Sequence, residues 1–181
     1  KADGTKIDPN AAETAEAPKA AAPQKKSRAL VEYPKHEPVT ATISSAIEED
    51  DDQKVFSART PDGRELRYAI LSETDHTLAV IKGSYKDDSY VTYIIPEYVD
   101  VNGVRYEVRE IAYKAFRSGK VKMNDVQLPY TLKKICQQAF YGKPLKRIIL
   151  PDGLEDIDAW AFYFGRVTEE IYIPVSVKSI G

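Results

Sequence analysis

The chain has one cysteine, Cys136, in 181 residues. An internal disulfide is impossible, so a disulfide-stapled fold is excluded. Histidine is nearly absent too, with His36 and His76 alone. One Cys and two His at unrelated spacings make no zinc set. Nor does spacing put a base beside Cys136, as a thiol nucleophile requires. Cys136 reads as a small side chain at a tolerant position. No glycine-rich phosphate loop is present, and no apolar run approaches membrane-spanning length. Basic charge is not in excess: 26 Lys and Arg stand against 28 Asp and Glu. With no basic stripe, nucleic acid is not an expected partner. The acidic run Glu48 to Asp52 lacks the alternating ligands and turn glycine of a calcium loop. These absences point away from an enzyme and call for no metal and no cofactor.

Residues 1–53 are short of aromatics. Tyr33 is the single one, and the segment carries 7 basic against 11 acidic side chains, leaving 19 against 17 for the remainder. So few large apolar groups do not offset the entropy of ordering. The segment reads as a flexible, Ala/Pro-rich acidic tail or tether. Pro18 interrupts the one helical stretch, Ala11 to Ala22. Val39 to Ile43 has strand composition and would pair if an edge were offered. The chain begins with Lys1 and its only methionine is Met123, so a segment is expected upstream.

What the sequence has is a repeat. Ile111-Ala-Tyr-Lys-Ala-Phe116 returns as Ile135-Cys-Gln-Gln-Ala-Phe140 and as Ile157-Asp-Ala-Trp-Ala-Phe162. Between the copies stand Val126-Gln-Leu-Pro129, Ile148-Ile-Leu-Pro151 and Ile171-Tyr-Ile-Pro174. A period of 22–24 residues means stacked supersecondary units. Val126 and Leu128 alternate on one face of a short strand, as do Ile148 and Leu150, and Ile171 and Ile173. The proline ends the strand, and a turn brings Leu132 and Ile135, or their equivalents, back beneath it. Ala allows close approach and Phe fills the space between coils. No coil buries its apolar edge alone.

The pattern I-x-L-P-x-x-L-x-x-I-x-x-x-A-F resembles the BspA-like leucine-rich repeat family of bacterial surface and secreted proteins. The likeness covers residues 111–181, with a weaker trace at Tyr93-Ile-Ile-Pro96. It departs from the general leucine-rich pattern in lacking an Asn or Cys ladder. It implies a mainly β fold with short helical turns: a solenoid of about three and a half coils over 111–181, behind a β-rich N-terminal cap over 54–110. It also implies export, to the cell surface or beyond, with any membrane attachment by an anchor upstream. Within the cap, Pro61-Asp-Gly63 and Asn102-Gly103 are hairpin signals. A cap covers the apolar edge of the first coil, which solenoids require.

Two surfaces stand out. Strand alternation turns Asp125, Gln127, Arg147, Ile149, Glu170 and Tyr172 outward on the sheet face, where Ile149 and Tyr172 are apolar neighbours. Trp160 takes the position of Lys114 and Gln138, and Tyr163 that of Arg117 and Tyr141. With Tyr141 these rings form a rival aromatic patch, suited to a sugar ring or a protein anchor. The sheet face is on the order of 150 Å² from strand spacing, small beside roughly 800 Å² per partner in a standard interface. The two readings are a surface module that binds protein or glycan, and an assembly piece. In the latter, Ile171, Val177 and Ile180 form an unfinished last coil that pairs with a second copy in a homodimer.

Overall fold

The computed structural model describes residues 36–83, 91–117, 123–167 and 171–181. They form β1 (Thr40–Ile43), β2 (Glu48–Asp50), β3 (Gln53–Arg59), β4 (Glu65–Ser72), β5 (Thr77–Lys82), β6 (Val91–Ile94), β7 (Tyr98–Val101) and β8 (Val104–Ile111). The repeats supply β9 (Met123–Gln127), β10 (Lys134–Ile135), β11 (Pro144–Leu145), β12 (Arg147–Ile149), β13 (Asp156–Ile157), β14 (Arg166–Val167), β15 (Ile171–Tyr172) and β16 (Ser179–Ile180).

The first part is a closed ring. β1, β3, β4, β5, β8 and β7 pair in that order, and β7 returns to β1. Closure removes the unpaired edges that an open sheet would present. Its interior is filled by alternate residues, among them Phe56, Leu66, Tyr68, Leu78 and Val108, all at most 2 % exposed. Phe56 and Tyr68 stack at 5.7 Å between centroids. Asn102 and Gly103, both at positive φ, make the tight turn between β7 and β8 that the Asn-Gly pair signals.

The ring corrects the expected tail boundary. Residues 36–53 belong to the ordered structure, and residues 1–35 lie outside the described residues. Thr40–Ile43 is the strand that closes the seam, antiparallel to β3 and parallel to β7. Its Ala41 is fully buried. A seam strand needs β propensity and one small inward residue, not aromatics, so a scarcity of large groups did not mark it as loose. The acidic run Glu48–Asp50 is β2, paired with β3. Arg67 lies 3.5 Å from both Glu48 and Asp50.

β8 belongs to both parts. Residues 104–107 pair with β7 in the ring, and residues 110–111 pair with β10. From there a parallel ladder runs β8-β10-β13-β16, with Ile111, Ile135, Ile157 and Ile180 in register. A second parallel ladder runs β6-β9-β12-β15. These are the stacked parallel units read from the repeat. Between the ladders lies one apolar column, with Val126, Leu128, Leu132, Ile148, Leu150 and Leu154 buried. Ile173, assigned inward by alternation, is 47 % exposed; it lies beyond β15, which ends at Tyr172.

The short helical turns are also corrected: no helix occurs among the described residues. In their place stand single hydrogen-bonded turns, Ala112 to Ala115, Cys136 to Ala139 and Asp158 to Ala161. The third residue of each is left-handed: Lys114, Gln138 and Trp160 at φ 58–59°. That is the signature of a type II turn. After the turn, Phe116 N–H donates to Ala139 O and Phe140 N–H to Ala161 O. The chain is thereby tied coil to coil at the point where each Phe enters the core. Gly83 gives Phe116 its seat, since a β-carbon there would lie 2.4 Å from the ring.

Candidate functional site

The sheet face is assembled as alternation requires. Asp125 sits opposite Arg147, Gln127 opposite Ile149, and Ile149 opposite Tyr172. Arg147 Nε is 3.9 Å from Asp125 Oδ1. Ile149 and Tyr172 are each half-covered. Glu170 lies outside the described residues. This face is a shallow mixture of a weak ion pair, an amide and two partly shielded apolar groups.

The turn face differs. It is built by 112–117, 136–146 and 158–166, one stretch from each of three successive coils. Trp160 is 56 % exposed, Tyr163 51 % and Phe164 71 %. Tyr163 lies 6.2 Å from Trp160, 4.5 Å from Phe164 and 5.9 Å from Tyr141 between ring centroids. Tyr141 in turn has Phe164 at 5.7 Å, and the Arg117 guanidinium lies 5.1 Å from its ring centre. The structure therefore brings Tyr141, Trp160 and Tyr163 into one patch and adds Phe164 and Arg117. A further exposed ring, Tyr113, carries the Lys114 ammonium 4.3 Å from its centre.

Backbone conformation sets two of these rings apart. Trp160 is left-handed at φ 59° and Phe164 at φ 53°. For a bulky L-residue that conformation costs on the order of 1–2 kcal/mol, and glycine or asparagine would avoid it. Phe164 occupies the column where the preceding coil has Gly142, itself at φ 71°. Phe164 was not among the candidate residues. The signal was in the sequence, as a glycine in one copy replaced by a phenylalanine in the next. Reading it required knowing that the column is left-handed.

Titratable groups near this face are tuned by burial. Lys143 is 1 % exposed, and desolvation lowers its amine to about 8. Cys136 is half-buried, and burial, then the Glu110 carboxylate, pushes its thiol up to about 11. A thiol so raised is protonated at neutral pH and a poor nucleophile.

A chain of parallel ladders whose short strands recur with a buried leucine or isoleucine column is a leucine-rich repeat protein. Residues 107–181 match the BspA type leucine rich repeat region, in six copies, and that part of the chain belongs to this family. No curated protein matches the chain. Among solved structures it is similar to a leucine-rich repeat protein from Bacteroides ovatus, 26 % identical with a TM-score of 0.55, over 64 % of this chain and 30 % of that one. It is also similar in fold to the pneumococcal vaccine antigen PcpA, 24 % identical with a TM-score of 0.54, over 76 % of this chain and 34 % of that one. The chain thus spans about a third of the length of each.

Proposed function

We propose that this chain is a non-catalytic recognition module of an exported protein, displayed at the cell surface or released from it, and that it binds through its turn face. The BspA-type repeats and the likeness to a pneumococcal vaccine antigen support the setting. The observation that carries the binding site is Trp160 and Phe164. Both are large, exposed and left-handed. A fold with no use for the rings would fill those positions more cheaply, and strained outliers of this kind cluster at functional sites. The parallel ladders are read as a section of a longer solenoid, which would extend the available surface.

An array of glycans and matrix proteins, probed with the full chain and with Trp160→Asn, tests this. Asparagine tolerates the left-handed backbone, so the variant removes the ring and keeps the turn. Loss of the array signals is expected. Signals unchanged in Trp160→Asn but lost in Ile149→Ser/Tyr172→Ser would move the site to the sheet face.

The second reading is self-association through the last coil. Ile173, Val175 and Ile180 are 47 %, 98 % and 60 % exposed beside the outermost strands β15 and β16. An apolar flank next to unpaired strand edges favours pairing with a second copy.

A further inference from the structure

The turn face is predominantly basic and has one kind of exposed apolar group. Residues 112–117, 136–146 and 158–166 contain Lys114, Arg117, Lys146, Arg166 and the buried Lys143 against a single acid, Asp158, and Asp158 is paired with Lys134 at 3.2 Å. Arg117 and Arg166 are exposed. Arg166 N–H donates to Lys143 O, which holds the third coil's cation beside the second coil. The exposed large apolar residues here are all rings: Tyr113, Trp160, Tyr163 and Phe164. At the last coil, by contrast, the large exposed groups are the aliphatic Ile173, Val175 and Ile180.

The two kinds of group are also ordered along the stack. Equivalent positions read Lys114, Gln138, Trp160 in one row and Arg117, Tyr141, Tyr163 in the next. Cations begin each row and aromatic rings end it. The second row is continuous, with 5.1 Å from guanidinium to the Tyr141 ring and 5.9 Å from that ring to Tyr163. Three coils at about 4.8 Å spacing make a track roughly 10 Å long. A track of that length is too short to supply the roughly 800 Å² per partner of a standard protein interface, but it accommodates a narrow polymer lying along the axis.

We infer that the turn face binds a linear anionic polysaccharide, one carrying carboxylate or sulfate groups on its sugar rings. This rests on the turn face being the binding site, as proposed above. The C–H face of a pyranose is weakly positive and meets the negative face of an aromatic ring. Tyr163, Trp160 and Phe164 supply those faces, while Arg117, Lys114 and Arg166 meet the acidic groups. Arginine suits both tasks, since its planar fork pairs with carboxylate or sulfate and stacks on rings. Lys, Arg, Trp and Phe also suit an anionic bilayer, so a membrane surface is the competing outcome that vesicle binding decides.

The test is binding of the full chain to immobilised polygalacturonate and heparin, with dextran, polyglutamate, single-stranded DNA and phosphatidylglycerol vesicles as comparison arms. Binding to at least one anionic polysaccharide is expected, weakening as salt shortens the Debye length from about 10 Å at 0.1 M. Arg117→Gln/Arg166→Gln should flatten that salt dependence. Trp160→Asn should weaken binding by about tenfold or more, the scale of a lost hot-spot ring. Ile149→Ser/Tyr172→Ser should bind as the parent does. Stronger binding to vesicles, polyglutamate or DNA than to either polysaccharide overturns the inference. So does binding to dextran that ignores salt. If both polysaccharides fail while a neutral glycan or a protein still binds in a Trp160-dependent way, the inference falls and the turn-face site stands. If polysaccharide binding survives Trp160→Asn and the double arginine variant together, both fall.

Discussion

Phe140 lies face to face with Phe116, ring centroids 5.1 Å apart and planes 3° from parallel. Phe162 continues the stack at 5.5 Å, and Tyr93 begins it edge-on at 5.4 Å. One ring per coil makes a column that runs from β6 through the repeats. Phe140 is fully buried at its centre. Phe140→Ala should cost roughly 3–5 kcal/mol in denaturant titration. A loss under about 1 kcal/mol would show that neighbouring coils hold without the column.

The seam offers a second prediction. Glu97 is fully buried and accepts from Val39 N–H at 2.6 Å, while His36 Nε2 lies 2.7 Å from its other oxygen. Its own backbone N–H donates to Val39 O. Glu97→Ala should therefore release the entry to β1 and cost about 1–3 kcal/mol. In the parent, hydrogen exchange at Ala41–Ile43 should be slow and comparable with β4. In the variant it should become fast while β12 stays protected. Rapid exchange there in the parent would mean that the ring is open in solution.

Trp160 and Phe164 predict an inverse relation between stability and binding. Trp160→Asn and Phe164→Gly relieve left-handed strain, at the expense of ring contacts and, for glycine, of unfolded-state entropy. The double variant should be at least as stable as the parent, within about 1 kcal/mol, and should lose binding. A clear drop in melting temperature would assign the rings to packing.

Lys143 gives a pH dependence. Its amine is lowered from 10.5 to about 8 by burial, so between those values the unfolded chain binds more protons than the folded one. Stability from this group therefore rises with pH across roughly 8 to 10.5, with a slope up to about 1.4 kcal/mol per pH unit. Lys143→Met should remove that component. The readout is the difference in slope between parent and variant, because tyrosines and other lysines titrate in the same range. Parallel slopes would mean that the amine is solvated in the folded chain.

The last coil sets the oligomeric state under the self-association reading. Light scattering of the parent at about 100 μM, well above a micromolar Kd, should then give a dimer, and Val177→Asp/Ile180→Asp a monomer. A monomeric parent, or a variant that still dimerises, removes that reading.

The repeats were legible because each coil repeats the same physical demand. Ile111, Ile135, Ile157 and Ile180 recur every 22–24 residues, and they sit in one ladder. The Asn102-Gly103 turn was legible because two left-handed residues in a row permit few sequences. The ring was not legible. β1 and β7 are far apart in sequence and meet in parallel, and pairing at such separation leaves no local pattern. Of the turn face, Trp160 and Tyr163 stood out as rings in polar columns. Phe164 did not, because a left-handed φ is a property of the backbone and not of the side chain that occupies it.

Because β8 is at once a wall of the closed ring and the first rung of the ladder, the ten-stranded sheet has a direction. The ring has no edge to offer, so the ladder of repeats extends from β8 toward the β16 side. Each added unit would touch one predecessor, leaving the ring unaffected by how many follow. Copy number is therefore free to vary by duplication or deletion of a 22–24-residue unit, with every variant sharing the same origin and the same phase. Lengthening the array also lengthens the rows that begin at Lys114 and Arg117. Under the turn-face proposal, reach and valency would then be set by a gene-level count, without redesign of any contact already in place.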